Sequence, residues 1–257
     1  MKHTNLEILT PQGTEDGDKP QKMRMNKRTS CIRCGKCCSE GSPSLMKEDM
    51  ALFMSGVLSH ENTYTIRDRE RIRSQGDDSV YESFLEFIKI RGREGTSVCM
   101  FYRDKEGCGI YESRPAQCRV YKCWAPENLM KGLEKGALKR RDIFGSVDVL
   151  LEVIDKHEEK CSYGKLADAC ERLAKGDEAA VEDIMDMLQY DTYARPFLQE
   201  KFNIPESALD LILGRPLSDT INEFGFKVVK EGDEYILLPI EPETGNVKSF
   251  MKKETDL

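Results

Sequence analysis

Cys31, Cys34, Cys37 and Cys38 stand at C-x2-C-x2-C-C spacing, and Cys99, Cys108, Cys118 and Cys123 follow at intervals of x8, x9 and x4. Thiolates at such spacing are metal ligands by chemistry. A C-x2-C pair lets two sulfurs converge on one centre from a tight turn, with backbone N–H groups offsetting their charge. A third cysteine at the same interval continues the wrap, and Gly35 allows the backbone to bend close to the metal. Three successive cysteines of this kind hold one cubane in bacterial ferredoxins. The ferredoxin pattern then places three residues before the next cysteine and a proline after it. Here Cys38 follows Cys37 directly and no proline comes next, so this is not a ferredoxin and the site needs a ligand from elsewhere.

Adjacent cysteines are awkward for one mononuclear ion, because an extended backbone sends their side chains to opposite sides. Cys38 could serve a second centre, or the two could ligate different irons of one cluster. Eight thiols leave three arrangements open: two sites of four, one site with spare thiols, or a larger cluster. The chain has only three histidines, His3, His60 and His157, so any metal site must be mostly or wholly thiolate. Zinc sites usually pair two C-x2-C knuckles. The second half of this pattern is not a knuckle, and the first half leans to iron. The expected cofactor is an iron–sulfur cluster, [4Fe-4S], one or two per chain, with zinc as the alternative.

The same residues resemble the YkgJ-like cysteine-cluster family, a zinc- or iron-chelating domain. The signature is Cys31-x2-Cys34-Gly-x-Cys37-Cys38, Cys99-x-Phe-Tyr, then Cys108-x-Ile-Tyr-x-x-Arg114-Pro115-x-x-Cys118-Arg119-x-Tyr121-x-Cys123. It spans about residues 28–125 and includes non-cysteine positions. The resemblance implies a ligand set and no substrate. Some flagellin lysine methylases resemble the same cysteine-rich design, which keeps a protein-modifying enzyme open. Arg114 and Arg119 read as cofactor-binding residues that stabilise thiolate charge, against an ion pair with Glu112 or a surface role. Phe101, Tyr102, Tyr111, Tyr121 and Trp124 read as core that shields the metal from water. Cys161 and Cys170 lie outside the signature on predicted helices and read as ordinary buried thiols. His157 sits four residues before Cys161, a pair too small to make a site alone.

The elements that must position these thiols read as α+β: a small cysteine-rich metal-binding module with short strands and irregular loops, a helical region and a C-terminal β-hairpin. Residues 1–29 read as a flexible arm, 30–140 as the cysteine-cluster domain, 141–202 as the helical region, and 203–257 as a small α/β unit with a polar tail. Lys47–Met54 reads as a short helix capped by Ser44, and Thr63–Arg67 as a strand. Phe84–Ile90 is ambiguous between helix and strand. Residues 97–102 and 108–111 are expected to pair as a hairpin, and Pro115 to start a helical turn over Ala116–Lys122. Ile143, Val147, Leu150, Leu151 and Ile154 share one helical face. Further helices are expected through Leu166–Leu173, from Val181 to Leu188, and over Pro205–Leu213 and Leu217–Phe224. Phe226–Lys230 and Tyr235–Leu238 form the predicted hairpin. Ile88–Arg93 reads as a solvated basic edge.

Charge and hydropathy exclude several classes. The chain has 257 residues and a net charge of −7, against bulk nucleic-acid affinity. A membrane-spanning helix takes ~20 apolar residues, and the longest apolar runs here are about five, as at Met50–Met54. The N-terminus shows no apolar export signal, so the expected setting is the cytoplasm, where thiols stay reduced. Six bases and no acid occupy residues 22–37, namely Lys22, Arg24, Lys27, Arg28, Arg33 and Lys36. Residues 146–191 carry 13 acids against 5 bases, a solvated face or a docking face for a basic partner. There is no P-loop, G-x-G-x-x-G or H-E-x-x-H motif.

The sequence thus predicts an iron–sulfur protein serving electron transfer or cluster-dependent support of a protein partner. A structural zinc module at a protein interface is the alternative. Cys34→Ser is expected to lose most of the bound metal, because metal binding and folding are linked. Cys170→Ser is expected to leave metal content intact. Metal analysis of both purified variants checks the pair.

Overall fold

Thr63–Ile66 (β1) is rich in β-branched residues and pairs antiparallel with Phe87–Ile90 (β4), with Tyr64 opposite Lys89 and Thr65 opposite Ile88. The ambiguous run before Ile90 is therefore a strand. Ile66, Ile88 and Ile90 are fully buried, so both faces of this pair are covered by other elements. These positions belong to a computed structural model that describes residues 31–73, 79–94, 96–122, 136–231, 234–240 and 248–249. The 1–29 arm, Cys123 and Trp124 lie outside the described residues.

Lys36–Glu40 (α1) follows the first cysteines, and Lys47–Asp49, a 3-10 turn, runs into Met50–Met54 (α2). Ser44 does not cap this segment. The Asp49 carboxylate reaches back to the Met46 N–H at 2.8 Å instead. Arg71–Arg73 (β2) and Val80–Glu82 (β3) form an unanticipated antiparallel pair, and β3 also pairs in parallel with Lys248–Ser249. Tyr102–Arg103 (β5) and Gly107–Cys108 (β6) make a hairpin at the expected turn, but it is only two residues long on each side and takes Arg103 and Gly107 from the expected loop, while residues 97–101 and 109–111 stay outside it. Ala116–Val120 (α3) starts directly after Pro115.

The helical region opens with Arg140–Phe144 (α4) and Asp148–Cys161 (α5). These were expected as one helix. Gly145 and Ser146, weak helix formers, separate them, and Val147 ends 43% exposed rather than on the buried face. Ser162 then breaks the helix and accepts the Lys165 N–H, capping Tyr163–Ala174 (α6). Ala180–Phe202 (α7) runs 23 residues and carries Val181, Ile184, Met185 and Leu188, the residues that suggested a helix here. Glu206–Ile212 (α8), Leu217–Thr220 (α9) and a 3-10 turn over Ile221–Phe224 follow. Gly214 and Gly225 take φ of 79° and 90° where these segments end. Phe226–Glu231 pairs antiparallel with Glu234–Pro239, the expected hairpin. The architecture is α+β. The described residues from Ile32 onward make one compact unit. Among the described residues no helix is long and apolar enough to cross a membrane.

Apolar burial ties the strand pair to helices far along the chain. Leu45, Leu58, Ile88, Ile90, Cys99 and Leu138 form one core cluster with Leu211 of α8. Each such side chain contributes roughly 1.5–3 kcal/mol of burial. A second cluster lies under α6, α7, α9 and the hairpin, and includes Cys161, Cys170, Ile184, Leu217 and Phe226.

Charges buried between the elements add direction. The Arg67 side chain, 0% exposed, sends Nε and Nη2 to the two oxygens of Glu158 at 2.7 and 2.9 Å. Its Nη2 also donates to the Cys161 carbonyl at 2.7 Å. Arg140 shares the same carboxylate at 2.6 Å, holds Glu86 through its backbone N–H and Nε, and donates to the Ile212 carbonyl at 2.9 Å. Burial alone would raise Glu158, but Arg67 and Arg140 hold it down from 4.5 to about 2. Its stabilising effect is thus fully present above pH 4.5 and is lost as pH falls through about 2. Glu158→Gln leaves Arg67 buried without its anion, and a loss of about 3–5 kcal/mol is expected in urea unfolding at neutral pH. The variant should also show a shallower loss of stability between pH 4.5 and 2 than the parent chain.

Candidate metal centre

Gly35 sets the geometry of the first cysteine segment. Its φ is +76°, and a Cβ there would fall 2.2 Å from the Tyr102 ring, so a glycine is needed twice over. The Gly35 carbonyl accepts from the Cys38 and Ser39 N–H groups at 2.9 and 2.8 Å. That turn opens α1 and places the Cys37 and Cys38 sulfurs 3.9 Å apart. The expectation that adjacent cysteines diverge assumed extended backbone. The helical turn brings them together instead.

Three further thiols approach this pair. The Cys38 carbonyl accepts the Cys99 N–H at 2.8 Å, which docks the second cysteine segment on the first. Cys108 ends β6 of the short hairpin, and Cys118 lies on α3. Charge on Cys99 and Cys118 is felt at Cys38, and charge on Cys37 and Cys108 is felt at both Cys99 and Cys118. So Cys37, Cys38, Cys99, Cys108 and Cys118 form one coupled set. Cys31 and Cys34 are exposed.

Asp49 carries α3 into place. Its carboxylate is 1% exposed and accepts the Met46 N–H and the Ala116 N–H, each at 2.8 Å. The Gln117 Oε1 accepts the Ser44 N–H at 2.7 Å. All three backbone donors would be orphaned without these side chains. The sequence reading missed Asp49 and Gln117. An acid just inside a short helical segment was the available signal, but it pointed to a local cap and not to a residue 67 positions away.

Lys89 was also missed. The Ile88–Arg93 segment is not a solvated edge. Lys89 runs inward and its Nζ donates to the Ser42 carbonyl. Arg91 pairs with Asp210 at 2.8 Å, and Arg93 binds the Tyr102 carbonyl.

Protonation follows from burial and mutual charge. The Cys38 thiol hydrogen-bonded to Cys37 lowers Cys37 to about 6, and the same bond with burial raises Cys38. Burial, then the charge of Cys99, raises Cys118 to about 12. Burial raises Cys99. Without a metal most of these sulfurs hold protons, and a metal must displace them on entry. Among the described residues no three His, Cys, Asp or Glu side chains already stand at metal-holding distance. The sulfurs would have to draw inward.

The donor set suits a soft metal. Among the described residues it is all sulfur: His60 bonds Ser207 at 3.0 Å and His157 bonds Asp191 at 2.8 Å. Cys161 donates to the Met187 carbonyl at 3.4 Å in the helical core, and Cys170 is 4% exposed beside it. Arg33 and Arg114 both lie over the Tyr111 ring, at 3.7 and 3.8 Å from its centroid, and so must occupy opposite faces. Glu112 pairs with Arg33 at 3.2 Å, not with Arg114 or Arg119. Arg119 pairs with Glu48 at 3.3 Å and donates to the Arg114 carbonyl at 2.9 Å.

Residues 30–171 match the CxxCxxCC family, described as a putative zinc- or iron-chelating domain. The chain belongs to that family, and metal chelation is its shared chemistry. No curated protein and no solved structure matches the chain.

Asp49→Ala should release the first turn of α3 and with it Cys118. A roughly 10–100-fold loss of metal affinity is expected, as for other residues that orient ligands. Competition titration against a chelator measures it.

Proposed function

We propose that this member of the CxxCxxCC family uses its coupled thiols to hold an iron–sulfur cluster and serves electron transfer, or supports a partner protein through that cluster, in the cytoplasm. The observation that carries the reading is the donor set. Five thiols from four segments feel one another's charge, with no histidine among them, and five exceeds what one tetrahedral ion takes. Cys31, Cys34 and Cys123 belong to the same signature and complete the proposed ligand list.

The chain's own part is to bind, orient and shield. Phe101 and Tyr102 pack against the cluster of buried residues that includes Cys99, so one side of the set is closed to water. Burial and the hydrogen bonds of nearby backbone set the potential of such a centre. A bound cluster would supply one-electron chemistry. Arg114 and Arg119 would add positive charge at its rim.

A zinc centre has one observation in its favour. Two thiolates on one tetrahedral ion with bonds of ~2.3 Å lie about 3.8 Å apart, and the Cys37 and Cys38 sulfurs are 3.9 Å apart. That spacing would suit a structural ion at a protein interface.

Oxygen-free purification followed by iron, zinc and acid-labile sulfide analysis separates the two. Iron with matching sulfide, and a visible band that bleaches on reduction, is the expected result. Zinc without sulfide, in a colourless protein, would replace the cluster reading with the structural one.

A further inference from the structure

We propose that the exposed face of α7 is a docking surface for a basic amphipathic helix of a partner protein. This face lies beyond the matched residues 30–171 and uses none of the thiols.

Glu182, Asp186, Gln189, Tyr193, Phe197 and Glu200 recur every three or four residues, so they share one stripe of the helix. All six are exposed. Ile184, Leu188, Asp191 and Leu198 are buried on the opposite side. At ~1.5 Å per residue the stripe runs about 27 Å. Its C-terminal half is aromatic. The Tyr193 and Phe197 rings stack with centroids 6.0 Å apart, and Phe202 meets Phe197 edge-on at 6.0 Å. Their exposures are 68, 38 and 43%. With ~200 Å² for a whole aromatic side chain, the three rings show about 300 Å² to solvent, a size at which exposed apolar patches are often functional. A stable interface takes ~800 Å² on each partner. The rings therefore anchor the contact, and the charged turns before them must supply the rest.

Those turns select the partner. Residues 177–194 carry six acids, Asp177, Glu178, Glu182, Asp183, Asp186 and Asp191, and no base. Arg172 pairs with Asp177 and Asp183, and His157 and Arg195 answer Asp191. Among the described residues Glu178, Glu182 and Asp186 have no ion-pair partner. A groove of about 590 Å³ lies beside Asp186, between α6 and α7. Of the cations that line it, Arg172 is already paired, Lys165 donates to the Glu159 carbonyl at 2.5 Å, and Lys160 stands at the end of α5. The uncompensated charge on this half of α7 is thus all negative. Lysines or arginines of a partner would answer it, and apolar side chains would cover the rings one to two turns on. A helix laid along α7 presents both at i, i+3 and i+4 spacing. A second copy of this chain would bring the same acids on a body of net charge −7, so like charge opposes self-pairing.

The test uses the full chain and a labelled synthetic helix of about 20 residues, made of Lys and Leu with Leu on one face, read by fluorescence anisotropy. The same peptide with Glu in place of Lys is the control. The Lys–Leu peptide should bind and the Glu–Leu peptide should not. Tyr193→Ser with Phe197→Ser, and separately Glu182→Lys with Asp186→Lys, should each weaken binding roughly 10-fold or more. Met54→Ser, at a methionine 84% exposed on α2, should leave it unchanged. No binding of the Lys–Leu peptide, or equal binding by every variant, would overturn the proposal. So would a parent chain that sediments as a dimer and becomes a monomer on Tyr193→Ser with Phe197→Ser, because the face would then belong to a second copy. Thermal melts check that the variants fold. If Phe197→Ser does not, Tyr193→Ser alone decides together with the charge reversals.

Discussion

A guanidinium out of reach of water must find its anion inside the protein, and the fold is organised around that demand. Arg67 leaves the end of β1 fully buried, and the carboxylate that answers it is Glu158, 91 residues later on α5. Arg140 answers the same carboxylate from α4 and reaches back to Glu86 ahead of β4. Such a group of charges has one arrangement in which every member is compensated, and any slip of a strand or helix would strand a charge in low dielectric at a cost of several kcal/mol. Apolar contact between the strand pair and the helices supplies the larger driving force. The charges determine the register in which that contact is made.

The register matters because β4 bears on the cysteines. Lys89 lies on it, Arg91 follows it, and the Met100 N–H donates to the Arg91 carbonyl at 3.1 Å, next to Cys99. The Leu45 N–H and carbonyl bridge to Ile88 and Leu138 on the way from the first cysteine segment to α2. The coupled thiols thus hang on short loops, but those loops are fastened to a strand pair that the helices hold. A metal centre built this way does not have to create its whole scaffold. It has to draw together five sulfurs that already feel one another's charge and to displace their protons.

The Cys37–Cys38 pair shows why local geometry decides ligand chemistry. In an extended chain the two sulfurs would serve different centres. The left-handed conformation at Gly35 turns the chain into a helical turn at once, and both sulfurs then face the same space. Tyr102 fills the room that any side chain at position 35 would need, so the turn and the aromatic shield are one constraint.

The sequence by itself determined the ligand chemistry and most of the secondary structure. Clustered cysteines and only three histidines pointed to sulfur donors, and residues 31–123 carried the family's signature in plain order. Turn residues placed the C-terminal hairpin and the turn of the short one, Pro115 placed α3, and helical periodicity found α5 to α7, because all of these are local properties of the chain. Tertiary structure decided the rest. Phe84–Ile90 was ambiguous by pattern, and only the pairing of Phe87–Ile90 with β1 makes it a strand and turns Lys89 toward the Ser42 carbonyl. The single helix expected across Val147 is two, and the break at Gly145 and Ser146 lets Arg140 of α4 meet Glu158 of α5. Asp49 looked like a local cap and holds a helix 67 residues away. Each of these depends on which surfaces meet, and a partner tens of residues distant leaves no periodic trace in the segment that binds it.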